Sequence, residues 1–369
     1  MKKTRLWFGI AIGALLALGS RHPAWAQQKG EIKIGLSQIA SGVAADYWAR
    51  QVNKPALLAI DDANEKGGVN GRKVVGILED NQGSATTGAA VAHKLIEIDK
   101  VSMIFVAPTP AVLATLPIAE SAHVPVISTS ISPKVSASPW GALAQPPADR
   151  QGLAYAKFVI EHKFQRVADL TGQSDSDTIA SKAFHDAVSK AGIKVVDTET
   201  YEVNAQDFTA QLTKIRAANP DCLLIQSLSG ATYGFVLKQM AQLGFRPPTI
   251  LTYYQIADPQ TRKLAGDLVD GIYFIEIPVD PEWNARVFRP RMGYDADGNG
   301  ALAYDAIALY LDAYATAGSD DPQKVRAAML NYKGYKGAVG AWGYNGQPVT
   351  QVQYRVARMK PGGGTEIVP

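Results

Sequence analysis

Residues 32–78 read IKIGLSQIASGVAADYWARQVNKPALLAIDDANEKGGVNGRKVVGIL and contain one complete strand–helix–strand unit. Residues 32–36 alternate apolar and other side chains, as a strand with one buried face does. Residues 47–66 instead place apolar side chains at helical spacing. That segment ends in Lys66-Gly67-Gly68, which is typical of a helix end because glycine readily adopts the left-handed C-cap conformation. The stretch therefore predicts a strand over 32–36, a helix over 47–66 and a strand over 74–78.

The same alternation of strands and helices continues to residue 128 and restarts near residue 150. Strands that alternate with helices imply right-handed crossovers and a mostly parallel sheet. We therefore expect two α/β units of similar size. Helices are predicted over 85–98, 111–122, 154–161, 180–191, 208–218, 233–243, 301–317 and 323–330, and strands over 101–106, 124–128, 167–170, 194–203, 222–227, 249–253, 272–278 and 352–356.

The length of the chain also indicates two lobes, because 369 residues exceed the usual size of a single domain. The segment after residue 301 has only two predicted helices and one late strand. It is too short for a third domain. We therefore expect its parts to complete both lobes, which requires the chain to cross between them more than once.

The N-terminus has the pattern of a secretory signal peptide. A basic head over 1–5 precedes an apolar stretch over 6–18, and Ala24-Trp25-Ala26 is a small-x-small cleavage site. A retained membrane anchor is the alternative, and it is disfavoured because Arg21-His22-Pro23 closely follows the apolar stretch. The pattern predicts a signal peptide over 1–26, export to the periplasm and a mature chain beginning at Gln27.

Removal of residues 1–26 would change the charge of the chain. The sequence carries 37 basic and 34 acidic residues, and four of the basic residues but no acidic residue fall within 1–26. The predicted mature chain therefore has 33 basic against 34 acidic residues, a net charge of −1. This balance argues against a nucleic-acid partner, which would call for a basic surface. The single cysteine, Cys222, cannot form an internal disulfide and lies in an apolar run that predicts a buried strand.

The sequence lacks the usual catalytic and metal-binding motifs. Its five histidines are scattered, and neither a phosphate-binding P-loop nor a G-x-S-x-G turn is present. Asp295-Ala296-Asp297-Gly298-Asn299-Gly300 resembles the start of a calcium loop, but its twelfth position is Ala306 where glutamate is needed. We interpret it as a polar turn before a helix. We therefore expect no metal, no cofactor and no catalytic residue.

Small polar residues follow several predicted strands in both halves. In parallel sheets, ligands bind beyond the carboxyl ends of the strands, and the free N–H groups of helix N-termini suit a carboxylate. Each residue taken alone is also typical of a helix N-cap. Their placement in both halves favours a binding site. The candidates are Ser41, Thr109 with Pro110, the segment Ser128–Ser132, the segment Ser174–Asp177, Ser229 in the segment Ser227–Gly230, and Gln255 after Tyr253-Tyr254.

Three segments carry a resemblance to a known family. The segment Ala59-Ile60-Asp61-Asp62-Ala63-Asn64-Glu65-Lys66-Gly67-Gly68-Val69-Asn70-Gly71-Arg72-Lys73-Val74 resembles the signature of exported type I solute-binding proteins of branched-chain amino acid ABC transporters. Ile118-Ala119-Glu120 with Val124–Ser128, and Ala303-Tyr304-Asp305-Ala306, are similar to further blocks of that family. The resemblance implies two doubly wound α/β lobes joined by a three-segment hinge, near 146–150, 277–282 and 336–344. Lobe 1 would comprise 29–147 plus 281–338, and lobe 2 would comprise 148–280 plus 339–369.

The resemblance also implies roles for residues of the first lobe. Tyr47 falls where the family places an aromatic ring over the ligand, and Thr109 takes the position of a family serine. Ser130 and Ser132 fall where the family uses a backbone group and a hydroxyl. These groups would hold a ligand carboxylate.

The second lobe departs from the family pattern. Ser176-Asp177 stands where the family often has Tyr-Gly, and Gln255 stands where its amino-acid binders carry an acid that pairs with the ligand ammonium. Loss of a buried charge partner weakens such recognition. Either Asp175 or Asp177 replaces the missing acid, or the ligand is not an α-amino acid.

The sequence thus predicts a binding protein, not an enzyme. It would capture a small amino acid, amide or organic acid between two lobes and deliver it to a membrane ABC permease, most simply as a monomer. Two alternatives remain open. A binding module that reports to a receptor would have the same sequence features. An exported serine hydrolase could use a serine at a strand end as its nucleophile, although the sequence indicates no general base beside any such serine.

Overall fold

Two β-sheets, each flanked by helices, organise the computed structural model, which describes residues 30–42, 45–202, 205–227 and 229–368. The residues from Glu31 onward form one compact unit. The predicted signal peptide lies outside the described residues. Within the described part of the chain, no helix combines the length and the apolar character needed to cross a membrane.

The first sheet is parallel throughout and has the strand order β2-β1-β3-β4-β5. We call this sheet with the helices packed on it lobe 1. The strand–helix–strand unit predicted over 32–78 is confirmed, with a longer first and second strand than expected. The strands are β1 Ile32–Gln38, β2 Val74–Asp80, β3 Met103–Val106, β4 Val126–Ser128 and β5 Gly141–Leu143.

The second sheet has the strand order β14-β13-β10-β9-β8-β6-β7, and we call it lobe 2 together with its helices. Strands β6 to β10 pair in parallel, whereas β13 and β14 add an antiparallel edge. The strands are β6 Arg166–Gly172, β7 Lys194–Tyr201, β8 Cys222–Gln226, β9 Thr249–Tyr253, β10 Tyr273–Glu276, β13 Arg355–Met359 and β14 Thr365–Ile367, and a separate hairpin pairs β11 Lys336–Gly337 with β12 Gly340–Ala341.

Each predicted helix is present, but the helix expected over 47–66 is three consecutive segments and the helix expected over 85–98 is two. The last segment over 47–66 carries Pro55 just after a π-helical segment, and proline has no N–H group with which to continue the hydrogen-bond pattern of that segment. The short helices over 134–137, 259–265, 281–283 and 289–292 were not predicted. The α-helices are α1 Ala45–Trp48, α2 Lys54–Glu65, α3 Ala85–His93, α4 Thr109–Ser121, α5 Lys134–Ala137, α6 Ala148–Glu161, α7 Asp175–Lys190, α8 Thr209–Ala218, α9 Gly230–Gln242, α10 Pro259–Ala265, α11 Pro281–Trp283, α12 Arg289–Met292, α13 Gly298–Ala317 and α14 Pro322–Asn331, with π-helical segments Ala49–Asn53, Lys94–Ile98 and Asn284–Phe288 and 3₁₀ segments Tyr254–Ala257 and Gly266–Val269.

The last third of the chain contributes to both lobes. Helix α13 packs on α2 and supplies Leu302 and Ile307 to the core of lobe 1, while β13 and β14 extend the sheet of lobe 2. Trp342 and Tyr344 also belong to the core of lobe 1. The predicted α/β class with parallel-sheet lobes is confirmed, and the exact lobe limits stay a prediction.

A buried carboxylate fixes the chain where it passes from α14 toward lobe 2. Asp305 of α13 accepts hydrogen bonds from the Tyr335 hydroxyl (2.9 Å) and from the backbone N–H groups of Ala338 (2.7 Å) and Val339 (3.0 Å). Burial raises the pKa of Asp305 to about 7. The segment is therefore attached to the longest helix of lobe 1 by one side chain.

Helices α6 and α7 of lobe 2 pack closely at Gly152 of α6, which has no side chain. A Cβ atom on Gly152 would overlap the carbonyl oxygen of Ala180 and lie 2.9 Å from the Ala183 Cβ. Cys222, the first residue of β8, is fully buried as predicted, and burial raises the pKa of its thiol. The two lobes thus have separate, closely packed cores.

Candidate ligand-binding site

A cavity of about 320 Å³ lies where the carboxyl ends of the two sheets face each other. Both lobes line it, which is the location that parallel sheets favour for a ligand. The lining residues of lobe 1 are Tyr47, Trp48, Ala107, Pro108, Thr109, Thr129, Ser130, Ile131, Gln145 and Asn299, and those of lobe 2 are Ser229, Gly230, Ala231, Tyr253, Tyr254, Gln255, Asp258 and Gln260.

Hydroxyl groups and a helix N-terminus form one wall. Thr109 Oγ1 lies 2.7 Å from Ser130 Oγ, which also accepts a hydrogen bond from the N–H of Ser132 (3.2 Å). Helix α4 begins at Thr109, and its N-cap residue, Pro108, supplies no side-chain acceptor to the first turn. The hydroxyl groups are suited to an anionic oxygen. The first turn adds only the N–H groups of Thr109 and Ala111, because Pro110 has no N–H and the N–H of Val112 donates to the Pro108 carbonyl (3.1 Å).

Tyr47 is held at the cavity by the start of α13. Its hydroxyl donates to Asp297 Oδ2 (2.9 Å) and accepts from Asn299 Nδ2 (3.1 Å), while Asp297 Oδ1 caps α13 through the N–H of Gly300 (3.0 Å). The segment 295–300 is thus a turn and N-cap before a helix, as predicted. Burial raises the pKa of Asp297 to about 6, and burial followed by the charge of Asp297 raises the pKa of Tyr47.

Lobe 2 contributes tyrosines, amides and one carboxylate. Tyr253 and Tyr254 follow one another at the end of β9 with their ring centroids 4.4 Å apart, and the Tyr253 hydroxyl accepts a hydrogen bond from Gln145 of lobe 1. Asp258 caps α10 through the N–H of Gln260 (2.7 Å). Gln255 Oε1 is buried and has no hydrogen-bond partner among the described residues. This wall presents aromatic surface and hydrogen-bond acceptors.

Five of the nine predicted site residues line the cavity: Tyr47, Thr109, Ser130, Ser229 and Gln255. The other four do not line it, for different reasons. Ser41 and Pro110 are exposed, Ser132 is buried with its hydroxyl 3.5 Å from Asp175 Oδ2, and Ser176 is buried in the first turn of α7. A role in ligand binding stays a prediction for all nine.

Neither acid proposed to replace the family's acidic residue reaches the cavity wall. Asp175 pairs with Lys134 across the lobes (3.2 Å), and Asp177 is buried beside the hydroxyl of Ser174 (2.8 Å). Asp258 lines the cavity instead, three residues after Gln255. Its signal in the sequence was Asp258-Pro259, an N-cap followed by a proline at the first helical position.

Sequence reasoning also missed Gln145 and Asn299. Gln145 follows β5, whose three residues are too few to show a strand pattern. Asn299 belongs to the polar turn before α13 and reaches Tyr47 only because the last third of the chain packs on lobe 1. Across the described ranges, no three His, Cys, Asp or Glu side chains gather as a metal site would require.

Comparison with known proteins gives the class of this molecule. A family model for periplasmic binding proteins matches residues 31–364, and the chain belongs to that family. Proteins of this family bind solutes and are not enzymes. This confirms the predicted class of protein and speaks against the hydrolase alternative.

Particular relatives cover nearly the whole chain. A Leu/Ile/Val-binding protein homologue of Brucella abortus (strain 2308) is 27% identical over 360 residues, covering 94% of this chain and 92% of that protein. A leucine-binding protein of Thermotoga maritima matches with a TM-score of 0.80 at 25% identity, covering 92% of this chain and 98% of that one. A solute-binding protein of Rhodopseudomonas palustris BisB5, solved with 3,4-dihydroxybenzoic acid, has a TM-score of 0.79 at 22% identity over 91% and 96% of the two chains, and shows the fold alone.

Proposed function

We propose that this chain is an exported binding protein that captures a small carboxylate-bearing solute between its lobes and delivers it to an ABC permease. The observation that carries the proposal is the cavity of about 320 Å³ lined from both lobes at the carboxyl ends of their sheets. A solute held there contacts both lobes, so it stabilises the arrangement in which they are close.

A carboxylate suits the wall formed by lobe 1. The Thr109 and Ser130 hydroxyls and the N–H groups of Thr109 and Ala111 are donors from which a carboxylate can accept hydrogen bonds without a basic residue. In a site closed to water, such hydrogen bonds to a charged group contribute about 1.5–3 kcal/mol each. Several of them are enough for an affinity in the micromolar range, which corresponds to about 8 kcal/mol.

The remainder of the solute would meet aromatic and aliphatic side chains. Tyr47, Trp48 and Tyr254 line the cavity together with Ile131. Burying apolar area in such surroundings contributes about 25 cal/mol per Å². The proposal therefore favours a solute with one carboxylate and a compact apolar part over a sugar or an inorganic anion.

Contacts across the cleft support closure of the lobes on a solute. Lys134 Nζ of lobe 1 lies 3.2 Å from Asp175 Oδ1 of lobe 2, and Ile131 belongs to one small hydrophobic cluster with Ala148 of α6 and Ala180 of α7. The ion pair is exposed and contributes little by itself. A bridging ligand would add the larger part of the closing free energy.

Export and transport are proposed from the sequence and the relatives. The segment 1–26 has a basic head, an apolar stretch and a cleavage site, and the chain belongs to a family of periplasmic proteins. Relatives named as Leu/Ile/Val-binding homologues support transport over sensing. Recovery of a permease with the mature protein from membranes would support delivery, whereas recovery of a receptor would support the sensing alternative.

A thermal-shift screen of the purified mature protein tests the binding proposal. The panel contains amino acids, aliphatic acids, aromatic acids, amides and ureas. A ligand present at 100 times its dissociation constant should add about 2.7 kcal/mol to the free energy of unfolding, because it binds only the folded state. We expect the largest increase in Tm from a carboxylate. If only members without a carboxylate raise the Tm, the carboxylate proposal is wrong.

A further inference from the structure

A chain of hydrogen bonds runs from the wall of the candidate cavity to a connection between the lobes. Tyr253 lines the cavity, and its hydroxyl accepts from Gln145 Nε2 and lies 3.3 Å from the Tyr354 hydroxyl. The Tyr354 hydroxyl in turn donates to the carbonyl oxygen of Pro146 (3.1 Å). Gln145 and Pro146 belong to residues 144–147, which connect β5 of lobe 1 with α6 of lobe 2. The chain therefore joins a residue of the ligand site to a segment that must bend when the lobes move.

The hydrogens of this chain have one consistent direction. A tyrosine hydroxyl has a single hydrogen, and burial raises the pKa of Tyr253 and of Tyr354, so both hydroxyls keep it. Tyr354 gives its hydrogen to Pro146, so it accepts from Tyr253, and Tyr253 accepts from Gln145. Removing either hydroxyl therefore breaks the link between the cavity and the connection.

Tyr354 lies where the two lobes meet. It ends residues 345–354, which lead from the core of lobe 1 to β13 of lobe 2. Of the partly buried apolar residues that the structure describes, Tyr354 is the one that packs on the core of both lobes. Its ring meets that of Tyr253 edge-on, with the centroids 6.0 Å apart. Tyr354 is not among the described residues that line the cavity, so a solute there does not touch it.

Further hydrogen bonds hold the same two connections side by side. The N–H of Leu143 donates to the Pro348 carbonyl (2.9 Å), and the N–H of Thr350 donates to the Leu143 carbonyl (3.0 Å). Arg150 Nη1 also donates to the Thr350 carbonyl (3.0 Å). A rotation of one lobe against the other must therefore turn both connections together, and the hydroxyl chain ties this pair of connections to the cavity wall.

We propose that Tyr253 and Tyr354 are positioning residues that couple occupation of the cavity to closure of the lobes. A solute packed against the Tyr253 ring holds its hydroxyl where the chain is complete, and the complete chain holds the connections in the closed arrangement. The chain therefore favours closure whatever the chemistry of the solute. The inference rests on the proposed function because it concerns the same cavity, and it assigns particular residues to the step between binding and closure.

This role predicts a uniform effect on affinity. When a protein must adopt one arrangement to bind, its measured dissociation constant equals the intrinsic constant divided by the fraction of molecules in that arrangement. Breaking the chain lowers this fraction by one factor for every solute. Loss of a direct contact acts differently, because each solute makes that contact with its own strength. A uniform loss of affinity therefore separates coupling from contact.

Isothermal titration calorimetry on the mature protein compares the wild type with Tyr253→Phe, Tyr354→Phe and the double variant. The probes are leucine, 4-methylpentanoate and benzoate, which share a carboxylate and differ in the rest of the molecule. We expect each single variant to weaken every probe that binds by one common factor of about threefold to tenfold, as loss of a neutral hydrogen bond from the closed state would. The double variant should stay within about twofold of the single variants, because the chain is already broken.

Tyr273→Phe is the matched control. Tyr273 lies in β10 of the same lobe, is not among the described lining residues, and its hydroxyl accepts from Arg358 Nη1 at 3.4 Å. It should leave every affinity within about twofold of the wild type. Circular dichroism of each variant checks that it folds. If Tyr253→Phe does not fold, Tyr354→Phe decides the question, because it leaves the cavity wall intact.

Each contrary result has a distinct meaning. If Tyr354→Phe leaves all affinities unchanged, the inference is overturned while the proposed function stands. The same follows if Tyr253→Phe weakens one bound probe and spares another, or if the two losses add fully in the double variant, as independent structural damage would. If none of the three carboxylates binds the wild type, the proposed function fails and the inference that rests on it fails as well.

Discussion

Thr109 and Ser130 form a pair of hydroxyls whose hydrogen bonds have a fixed direction when a carboxylate is present. Ser130 Oγ already accepts from the N–H of Ser132, so it can donate its own hydrogen to Thr109 Oγ1, 2.7 Å away. Thr109 is then free to donate toward the cavity. A chain of this kind polarises its last member and strengthens the bond to an anion.

Removing the Thr109 hydroxyl should weaken a carboxylate ligand without unfolding the protein. Thr109→Ala loses one charge-assisted hydrogen bond, and we expect the dissociation constant of the best ligand of the screen to rise about tenfold. The Tm of the free protein should fall only slightly, because the side chain does not cap α4 and the substitution removes only its hydrogen bond with Ser130. Thr109→Ser keeps the hydroxyl and serves as the control in the same titration. An unchanged affinity for Thr109→Ala would remove this residue from the site.

Helix α7 connects the packing of lobe 2 with the cleft. Its first residue, Asp175, faces Lys134 of lobe 1. Ala180, further along the helix, packs against α6 and belongs to the same small hydrophobic cluster as Ile131. The spacing between α6 and α7 therefore determines where the cleft-facing end of α7 lies. Gly152 permits that spacing because it presents no Cβ to the Ala180 carbonyl.

Gly152→Ala should destabilise lobe 2 although alanine is the better helix former. The added methyl must displace backbone at the α6–α7 contact, and overpacking of this kind lowers the free energy of unfolding by about 1–3 kcal/mol. Urea titration followed by circular dichroism measures the change. Lys157→Ala on the same helix, where the lysine side chain is 74% exposed, should stay within about 0.5 kcal/mol of the wild type. Equal or greater stability of Gly152→Ala would contradict the close approach of the two helices at this position.

Secondary structure was predictable to the extent that elements were long enough to show a period. Helix α13 and strand β8 carry their patterns over many buried residues, whereas β5 and β14 have three residues each and could not be separated from loops. The antiparallel edge of lobe 2 depends on contacts between β10 and β13, about 80 residues apart. Short-range sequence patterns do not predict a pairing between strands that are so far apart in the chain.

Several carboxyl groups of the folded protein are buried without a positively charged partner. Burial raises the pKa of Asp177 and of Asp297 to about 6, and that of Asp305 to about 7, from an ordinary value of 3.8. The unfolded chain loses these protons as the pH rises above about 4, whereas the folded protein holds them until about 6 or 7. The folded state therefore binds more protons within this window, and its stability falls as the pH rises through it.

The free energy of unfolding should accordingly be greater at pH 5 than at pH 8, by an amount on the order of a few kcal/mol. Urea titrations at the two pH values measure it. Asp305→Asn cannot titrate, so it should flatten part of the pH dependence. It should also lower stability at pH 5, because its amide nitrogen cannot accept one of the two backbone hydrogen bonds. A stability that is constant or rises from pH 5 to pH 8 would contradict this account.

The candidate site was predictable where it follows directly from a strand end. Thr109, Ser130 and Gln255 come shortly after strands of the two sheets, and the general geometry of parallel sheets places them at the cavity. The place of Tyr47 in the site was predicted only from the resemblance to a known family. Asp297 and Asn299, which hold Tyr47, are about 250 residues away in the chain and meet it only through the packing of α13 on lobe 1.

The lone thiol, buried at the start of β8, has a practical consequence. Cys222 is the only cysteine in the sequence, is fully buried, and has a pKa raised by burial, so thiol-reactive dyes find no reactive thiolate on the native protein. A cysteine introduced at exposed Gln260 on the cavity rim would accept a fluorophore selectively. Such a labelled molecule could serve as an optical sensor of solute concentration, with no need to mutate the native cysteine first.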